Sequence, residues 1–278
     1  MIIYENGIET DTIKNNTLEI KTDSSSGLQV NFLGRNNILI VEEGVRFEDS
    51  IISFSSDNAL VYLSRSNKPY KLKISACRSS VIYFGSNNYF NSQLNAIVSE
   101  QQNLIIGGDG VFSFDIWIRT ADPHLIYDID SHKRINNSKS ILIGDHVWLG
   151  QSAMILKGTS IGSGSIVGAG AVLAGKTIRS NEVWGGNPGR KLKENVFFLG
   201  NCVHDYTKEQ IEKSQFYGND CYTFEEDEKT IETNAVFAKL TEKEQSVDKL
   251  QILENMVIKN RNSKNRFSIN FEMSKTSS

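Results

Sequence analysis

The chain has 278 residues, 39% of them hydrophobic and 23% charged, and a formal net charge of -3. This is the composition of one or two globular domains, and the near-neutral balance gives no electrostatic reason to expect nucleic acid or an anionic membrane as a partner. Cys77, Cys202 and Cys221 are too scattered for a zinc knuckle or a disulfide framework, and no stretch reaches the ~18 apolar residues of a transmembrane segment. The acidic start, Met1 to Asp11, lacks the basic region of a signal peptide, so a cytoplasmic location is expected.

Residues 1–96 read as an N-terminal β-rich region, partly coil-like. Leu33, Leu39, Val45 and Ile51 recur every six residues, but the small residue that would close each corner is mostly missing. Between 57 and 105 the register is lost, although ALVYL, YKLKIS and SVIYFG still read as strands. Sixes return at Ile106, Phe112 and Ile118.

The repeat is clearest from Ile143. Aliphatic residues open each unit at Ile143, Leu149, Ile155, Ile161, Val167 and Leu173. Four positions later stand Val147, Ala153, Thr159, Ser165, Ala171 and Thr177. A helix repeats at about 3.6 and a strand at 2, so neither fits. A period of six fits a three-sided coil of about 18 residues per turn, with the aliphatic residue pointing inward, the parallel β-helix reading of such repeats. Successive turns bury one another, so several must stack.

Ile118 and Ile143 both open units, yet their separation is not a multiple of six. The intervening residues 119–141, with Pro123, His124, His132 and several Asp and Asn, read as an external loop on a rigid scaffold, where chemistry concentrates. The repeat closes with VWGGNPGRKLK at 183–193. Residues 194–278 read as a C-terminal helical region. Thr207 to Gln210 and Thr241 to Glu244 have the pattern of capping boxes. The second opens a stretch with Val247, Leu250, Leu253 and Val257 at helical spacing, so one short helix and one longer amphipathic helix, packed on the β-helix, are expected. The last residues, from Asn262 onward, are expected to fray.

Three features resemble the hexapeptide-repeat acyltransferases: the repeat itself, the loop element RTADPH followed by IYD, and the closing VWGGNPGRKLK. The resemblance covers residues 97–193 and looks most like bacterial enzymes that O-acetylate surface glycans, including capsule and sialic acid O-acetyltransferases. It implies a mainly β fold built on a left-handed parallel β-helix, acetyl-CoA as cosubstrate and no metal. It also implies a homotrimer with each active site in the groove between neighbouring β-helices. Gly189 stands where the family pattern has Ala, and the first 96 residues have no counterpart in it.

Acyl transfer to a hydroxyl needs a base, and an imidazole titrates near 6.5. His124, beside Asp122, is the expected base for direct attack of a sugar hydroxyl on the thioester. His132 and His146 are weaker alternatives, His146 being read as an ordinary solvent-facing repeat position. Asp115 and Asp122 are candidates to orient the imidazole or bind sugar hydroxyls. Trp148, on the outside of the first strong coil, is given a place beside the reacting groups by the resemblance. The groove for the cosubstrate is expected to use Gly150, Gly168, Ala169 and Gly170 as narrow walls. Lys157 and Lys176 would supply charge, Asn187 and Pro188 the exit turn near the adenine, and Arg190 and Lys191 the phosphate contacts. Other acceptors stay open at this level: a free sugar, an antibiotic, serine or an amino-sugar nucleotide. So do a non-catalytic binding β-helix and a zinc carbonic anhydrase of the same architecture.

Overall fold

A computed structural model describes residues 7–11, 14–20, 26–219 and 221–270. The chain winds as a three-sided parallel β-coil. Nine strands stack on the first face, from Gly7–Asp11 to Thr177–Ile178. Six form the second, from Tyr89–Phe90 to Arg190–Lys193, and seven the third, from Leu28–Phe32 to Val172–Ala174. Among the described strands the antiparallel pairs lie at the two ends: Gly7–Asp11 on Asn16–Ile20, and Val183–Gly185 on Arg190–Lys193.

Turn length divides the coil into two parts. On the third face Leu28 pairs with Ser50, Ile51 with Lys73, Leu72 with Leu94 and Asn95 with Trp117, each a step of 22 residues. Met154 then pairs with Val172, a step of 18. Because 22 is not a multiple of six, the hexapeptide register dissolves in the N-terminal half although the coil runs on. The boundary expected at 96/97 falls inside the strand Leu94–Val98, which is bonded to strands on both sides. Of the N-terminal residues expected to point inward, Leu39 and Val45 are fully buried. Leu33 is 69% exposed, and Ile52 rather than Ile51 enters the core.

The longer turns enclose aromatic rings. Tyr70, Phe84, Phe90 and Phe112 are buried and contact one another in succession, with ring centroids 5.2 to 6.2 Å apart. The shorter turns hold mainly aliphatic and small residues, with the half-buried Trp184 packed against Val167 at the end of the coil. Ile143, Leu149, Ile155, Ile161, Val167 and Leu173 are all buried, as are Val147, Ala153, Thr159, Ser165 and Ala171. Thr177 breaks the pattern: it is exposed, and Ile178 points inward in its place. The last turn is one residue shorter, with Ser160 beside Thr177 where Leu142 lies beside Ser160, so the inward position arrives early.

The C-terminal region covers the first face. Helices α1 (Lys208–Lys213), α2 (Thr233–Glu242) and α3 (Ser246–Met256) follow the coil. Val236, Leu240, Leu253, Val257 and Phe267 pack on Leu60, Tyr62, Val81, Tyr83, Ile105 and Leu142, which explains why first-face strands are buried on both sides. The box at Thr207 forms as expected. The one at Thr241 does not: Thr241 lies inside α2 and its hydroxyl donates to the carbonyl of Phe237. Nor does the chain fray from Asn262 to Asn270. Arg266 and Phe267 are buried, and Arg266 forms a two-pronged pair with Asp145 at 2.6 and 2.8 Å. Residues 271–278, the rest of that expectation, lie outside the described residues.

Candidate active site

Among the described residues the coil is interrupted once at length, after the strand Trp117–Arg119. Trp117 pairs with Met154, a step of 37 residues, and the extra chain leaves at the corner between the third and first faces. Its base is closed by the amide of Lys139 on the carbonyl of Thr120. Beyond it the loop folds as a small hairpin, with Tyr127 bridged to Arg134 and the Ile135 amide donating to Ile126. Arg134 clamps the hairpin to Glu100 with two bonds of 2.9 and 2.8 Å.

Asn136 organises the loop. It is 6% exposed, its carbonyl oxygen accepts from the Ile126 amide, and its NH2 donates to the carbonyl of His124 at 2.7 Å and to Asp122 Oδ2 at 3.1 Å. Lys157 Nζ, from the next turn, donates to Asp122 Oδ2 at 2.5 Å and to the Asn136 carbonyl at 3.0 Å. The lysine's hydrogen bond, joined by that from Asn136, holds the Asp122 carboxyl below the usual carboxylate range. Asp122 and Lys157 therefore fasten the loop to the coil. The backbone of His124 is fixed, while its exposed imidazole makes no hydrogen bond among the described residues. Sequence reasoning passed over Asn136, because one Asn within NNSKS carries no signal.

The other candidates lie elsewhere on the three-sided prism. Asp115 sits at the corner between the second and third faces, with φ 56°, accepting from Trp117 Nε1 at 3.2 Å and from the Ser152 hydroxyl at 3.3 Å. Its partners are these groups, not His124. Trp148 is 40% exposed on the second face, 5.8 Å from the ring of Phe198. In a triangular coil the second face lies opposite the corner that carries the loop. One chain therefore keeps Trp148 and His124 apart.

His146 does not face solvent as expected. It is 9% exposed and stacked between Phe198 and Tyr222 at 4.2 and 4.3 Å. Its Nε2 donates to the Phe198 carbonyl at 3.0 Å, and burial pushes its pKa below the ordinary imidazole value. Residues returning after the coil supply this aromatic cover. His132 is exposed at the tip of the hairpin. Among the described residues no His, Cys, Asp and Glu side chains gather in a group of three that could hold a metal ion.

The residues expected to hold acetyl-CoA fall on two corners that flank the third face. Gly150, Gly168, Ala169, Gly170, Asn187 and Pro188 stack at the second–third corner, and Lys157 and Lys176 stand at the third–first corner. Gly150 serves the stacking of turns, since a Cβ there would lie 2.6 Å from the Ala169 amide nitrogen. Gly168 and Gly170 leave open space: a Cβ would meet nothing closer than 3.5 Å at the first and nothing within 4 Å at the second. Gly189 is tight, because a Cβ would come within 2.4 Å of Leu173 Cδ2 and 3.0 Å of the Val172 carbonyl oxygen. In the closing strand the Arg190 side chain has no hydrogen bond or ion pair among the described residues, whereas Lys191 is held by Glu194 at 2.6 Å and Glu182 at 3.4 Å. An open glycine corner that ends at a free guanidinium fits an extended thiol cosubstrate with phosphates. Of the cations expected there, Lys157 is committed to the loop.

Comparison with known proteins agrees with this fold. Residues 140–175 match the family described as bacterial transferase hexapeptide (six repeats). The chain is 27% identical over 205 residues to a polysialic acid O-acetyltransferase of Neisseria meningitidis, covering 73% of this chain and 94% of that protein. It is 36% identical over 132 residues to a polysialic acid O-acetyltransferase of Escherichia coli O1:K1 / APEC, covering 48% of this chain and 42% of that one. Among solved structures, the polySia-specific acetyltransferase NeuO matches with a TM-score of 0.61 at 29% identity, over 72% of this chain and 86% of that one. The polysialic acid O-acetyltransferase OatWY shares the fold, with a TM-score of 0.52 at 23% identity over 73% and 96%. The fold is a parallel β-helix that carries the hexapeptide repeat, and the chain is similar over most of its length to acetyltransferases. The curated relative covered to 94% of its length is named an O-acetyltransferase.

Proposed function

We propose that the protein transfers an acetyl group from acetyl-CoA to a hydroxyl of sialic acid in a bacterial surface glycan, capsule or lipooligosaccharide. The similarity that spans 94% of a polysialic acid O-acetyltransferase carries this reading. Bound acetyl-CoA supplies the activated acyl group. Gly168 and Gly170 give it a smooth wall, and Arg190 is the cation placed to meet a phosphate. His124 takes the proton of the acceptor hydroxyl on an unprotonated ring nitrogen, the hydroxyl oxygen bonds the acyl carbon as its bond to sulfur breaks, and the proton passes to the departing sulfur, so that CoA leaves as the thiol. Asn136, Asp122 and Lys157 set the position of its backbone before the acceptor arrives, so little ordering is left to the reaction step. The charge that builds on the acyl oxygen needs a donor; Trp148 Nε1 is one, supplied by a neighbouring copy.

A homotrimer follows from the same reading. Leu125, Ile126, Tyr127, Ile129 and Ile135 project from the loop, each at least 50% exposed. A run of apolar side chains of this kind marks an interaction surface. A second copy seated there would bring its second face, with Trp148, to His124 of the first. No helix of the described residues is long and apolar enough to cross a membrane. The enzyme would act in the cytoplasm, where acetyl-CoA is available, or at the inner membrane surface.

An acceptor screen with acetyl-CoA and thiol detection tests the assignment. A sialylated oligosaccharide should gain O-acetyl groups as acetyl-CoA releases thiol, while its desialylated counterpart, maltose and chloramphenicol should not. Turnover on chloramphenicol or maltose with none on sialic acid would overturn it.

A further inference from the structure

The long N-terminal turns carry an open groove of about 1040 Å³ along the edge between the second and third faces. It runs across successive turns at Gln29, Asp49, Lys71, Gln93 and Asp115. With adjacent strands about 4.8 Å apart, the four steps from Gln29 to Trp117 extend about 19 Å, long enough for several linked sugars.

Its chemistry is that of a site for uncharged sugars. Gln29, Asn91, Gln93 and Asn95 line it with amides, and Phe114, 50% exposed, presents an aromatic ring among them. Amides pair with hydroxyl and acetamido groups, while a ring face covers the apolar side of a pyranose. Charge argues against a polyanion. Lys71 is neutralised by Glu48 at 2.7 Å, which leaves Asp49 and Asp115 without a cationic partner in the groove. A chain with a carboxylate on every unit would meet net negative potential there.

The position is as informative as the lining. The groove ends at Asp115, two residues before the strand Trp117–Arg119, from whose far end the His124 loop leaves. The length of one three-residue strand separates the last groove residue from that loop. We propose that this groove binds uncharged sugar residues of the acceptor, next to the residue that is acetylated. The proposal rests on the acceptor being a glycan and adds a second class of sugar to it.

The test is equilibrium binding, without acetyl-CoA, to an array of neutral hexose and N-acetylhexosamine oligosaccharides, from disaccharides to octasaccharides. Oligosialic acids of the same lengths stand beside them. Neutral oligosaccharides should bind more tightly as they lengthen. Phe114→Ala should weaken the longest by about tenfold, a loss of one small-pocket contact, with unchanged circular dichroism and particle mass. Gln29→Ala, at the far end, should weaken only the longer ones. Binding to no neutral oligosaccharide, a preference for oligosialic acids, or unchanged affinity in both variants would overturn the proposal. So would a change of particle mass in Phe114→Ala, which would make the groove a contact between subunits. Failure of the acceptor assignment reads differently: the wild type would not transfer acetyl to sialic acid, whatever the array shows.

Discussion

The two halves of the coil solve one packing problem with different materials. Turns of 22 residues enclose Tyr70, Phe84 and Phe90, and turns of 18 enclose Ile155, Ile161 and Val167. A longer perimeter leaves a wider interior, which only rings can fill to the density that protein cores require. The corners differ as well. In the long turns Asn37 accepts the Ala59 amide and bonds Asn16 beneath it, and Asn88 bonds the Gly85 and Gly107 carbonyls. Hydroxyls serve both kinds of turn, Ser50 donating to Tyr70 and Ser80 to Val98 in the long ones, Thr159 to Leu173 and Ser165 to Arg179 in the short ones. The candidate active site lies where one kind of turn gives way to the other.

The harshest way to break this comparison is a charge in the narrow core. Ile161→Asp should abolish folding, because a buried carboxylate finds no partner there and its cost rivals the whole stability of a domain, about 5–15 kcal/mol. A folded, active variant in circular dichroism and turnover assays would contradict the register. The wide core is probed by size. Tyr70→Ala should cost about 3–5 kcal/mol in denaturant unfolding, as large aromatic truncations do. Tyr70→Phe should cost about 1–3 kcal/mol, because the hydroxyl that donates to the Ser64 carbonyl at 2.8 Å is lost.

Glycine substitutions separate scaffold from cosubstrate. Gly150→Ala should lower the melting temperature, since its Cβ meets backbone. Gly168→Ala should leave melting unchanged and raise the KM for acetyl-CoA, because its Cβ points into free space. Equal effects of the two on melting would undo the distinction. The smallest effect is a pH dependence. Burial lowers the His146 pKa, so the native chain binds fewer protons than the unfolded one. The stability it contributes is then complete above about 6.5, the ordinary imidazole value, and declines as the pH falls below it. Urea unfolding of His146→Phe should show a flatter pH profile below that point than the wild type.

The coil from Ile143 to Leu173 was legible because one chemical rule repeats in every unit. The N-terminal half was legible only as strands: a 22-residue turn leaves no short period, and its inward positions alternate within four- and five-residue strands. The slip at Thr177 followed from one missing residue in the last turn, which no local pattern marks. Helix α2 escaped notice because only Val236 and Leu240 repeat along its buried side and its N-cap, Glu232, makes no side-chain cap bond. The loop announced itself as a break in register, and His124 as a titratable group within it. What holds His124 was not readable, because Asn136 and Lys157 reach it through contacts between distant residues. The aromatic cover of His146 is of the same kind, brought by Phe198 and Tyr222 from beyond the end of the coil.

The central claim is that the register break exists to present His124 as the base. The direct measurement is turnover of His124→Ala beside His132→Ala, with acetyl-CoA binding followed by calorimetry in both. General bases contribute about 10²–10⁴-fold. His124→Ala should lose turnover on that scale while still folding and binding acetyl-CoA, and the ascending limb of its pH profile should vanish. His132→Ala should keep most of its activity. Near-wild-type turnover in His124→Ala, or a folded and binding but inactive His132→Ala, would contradict the account.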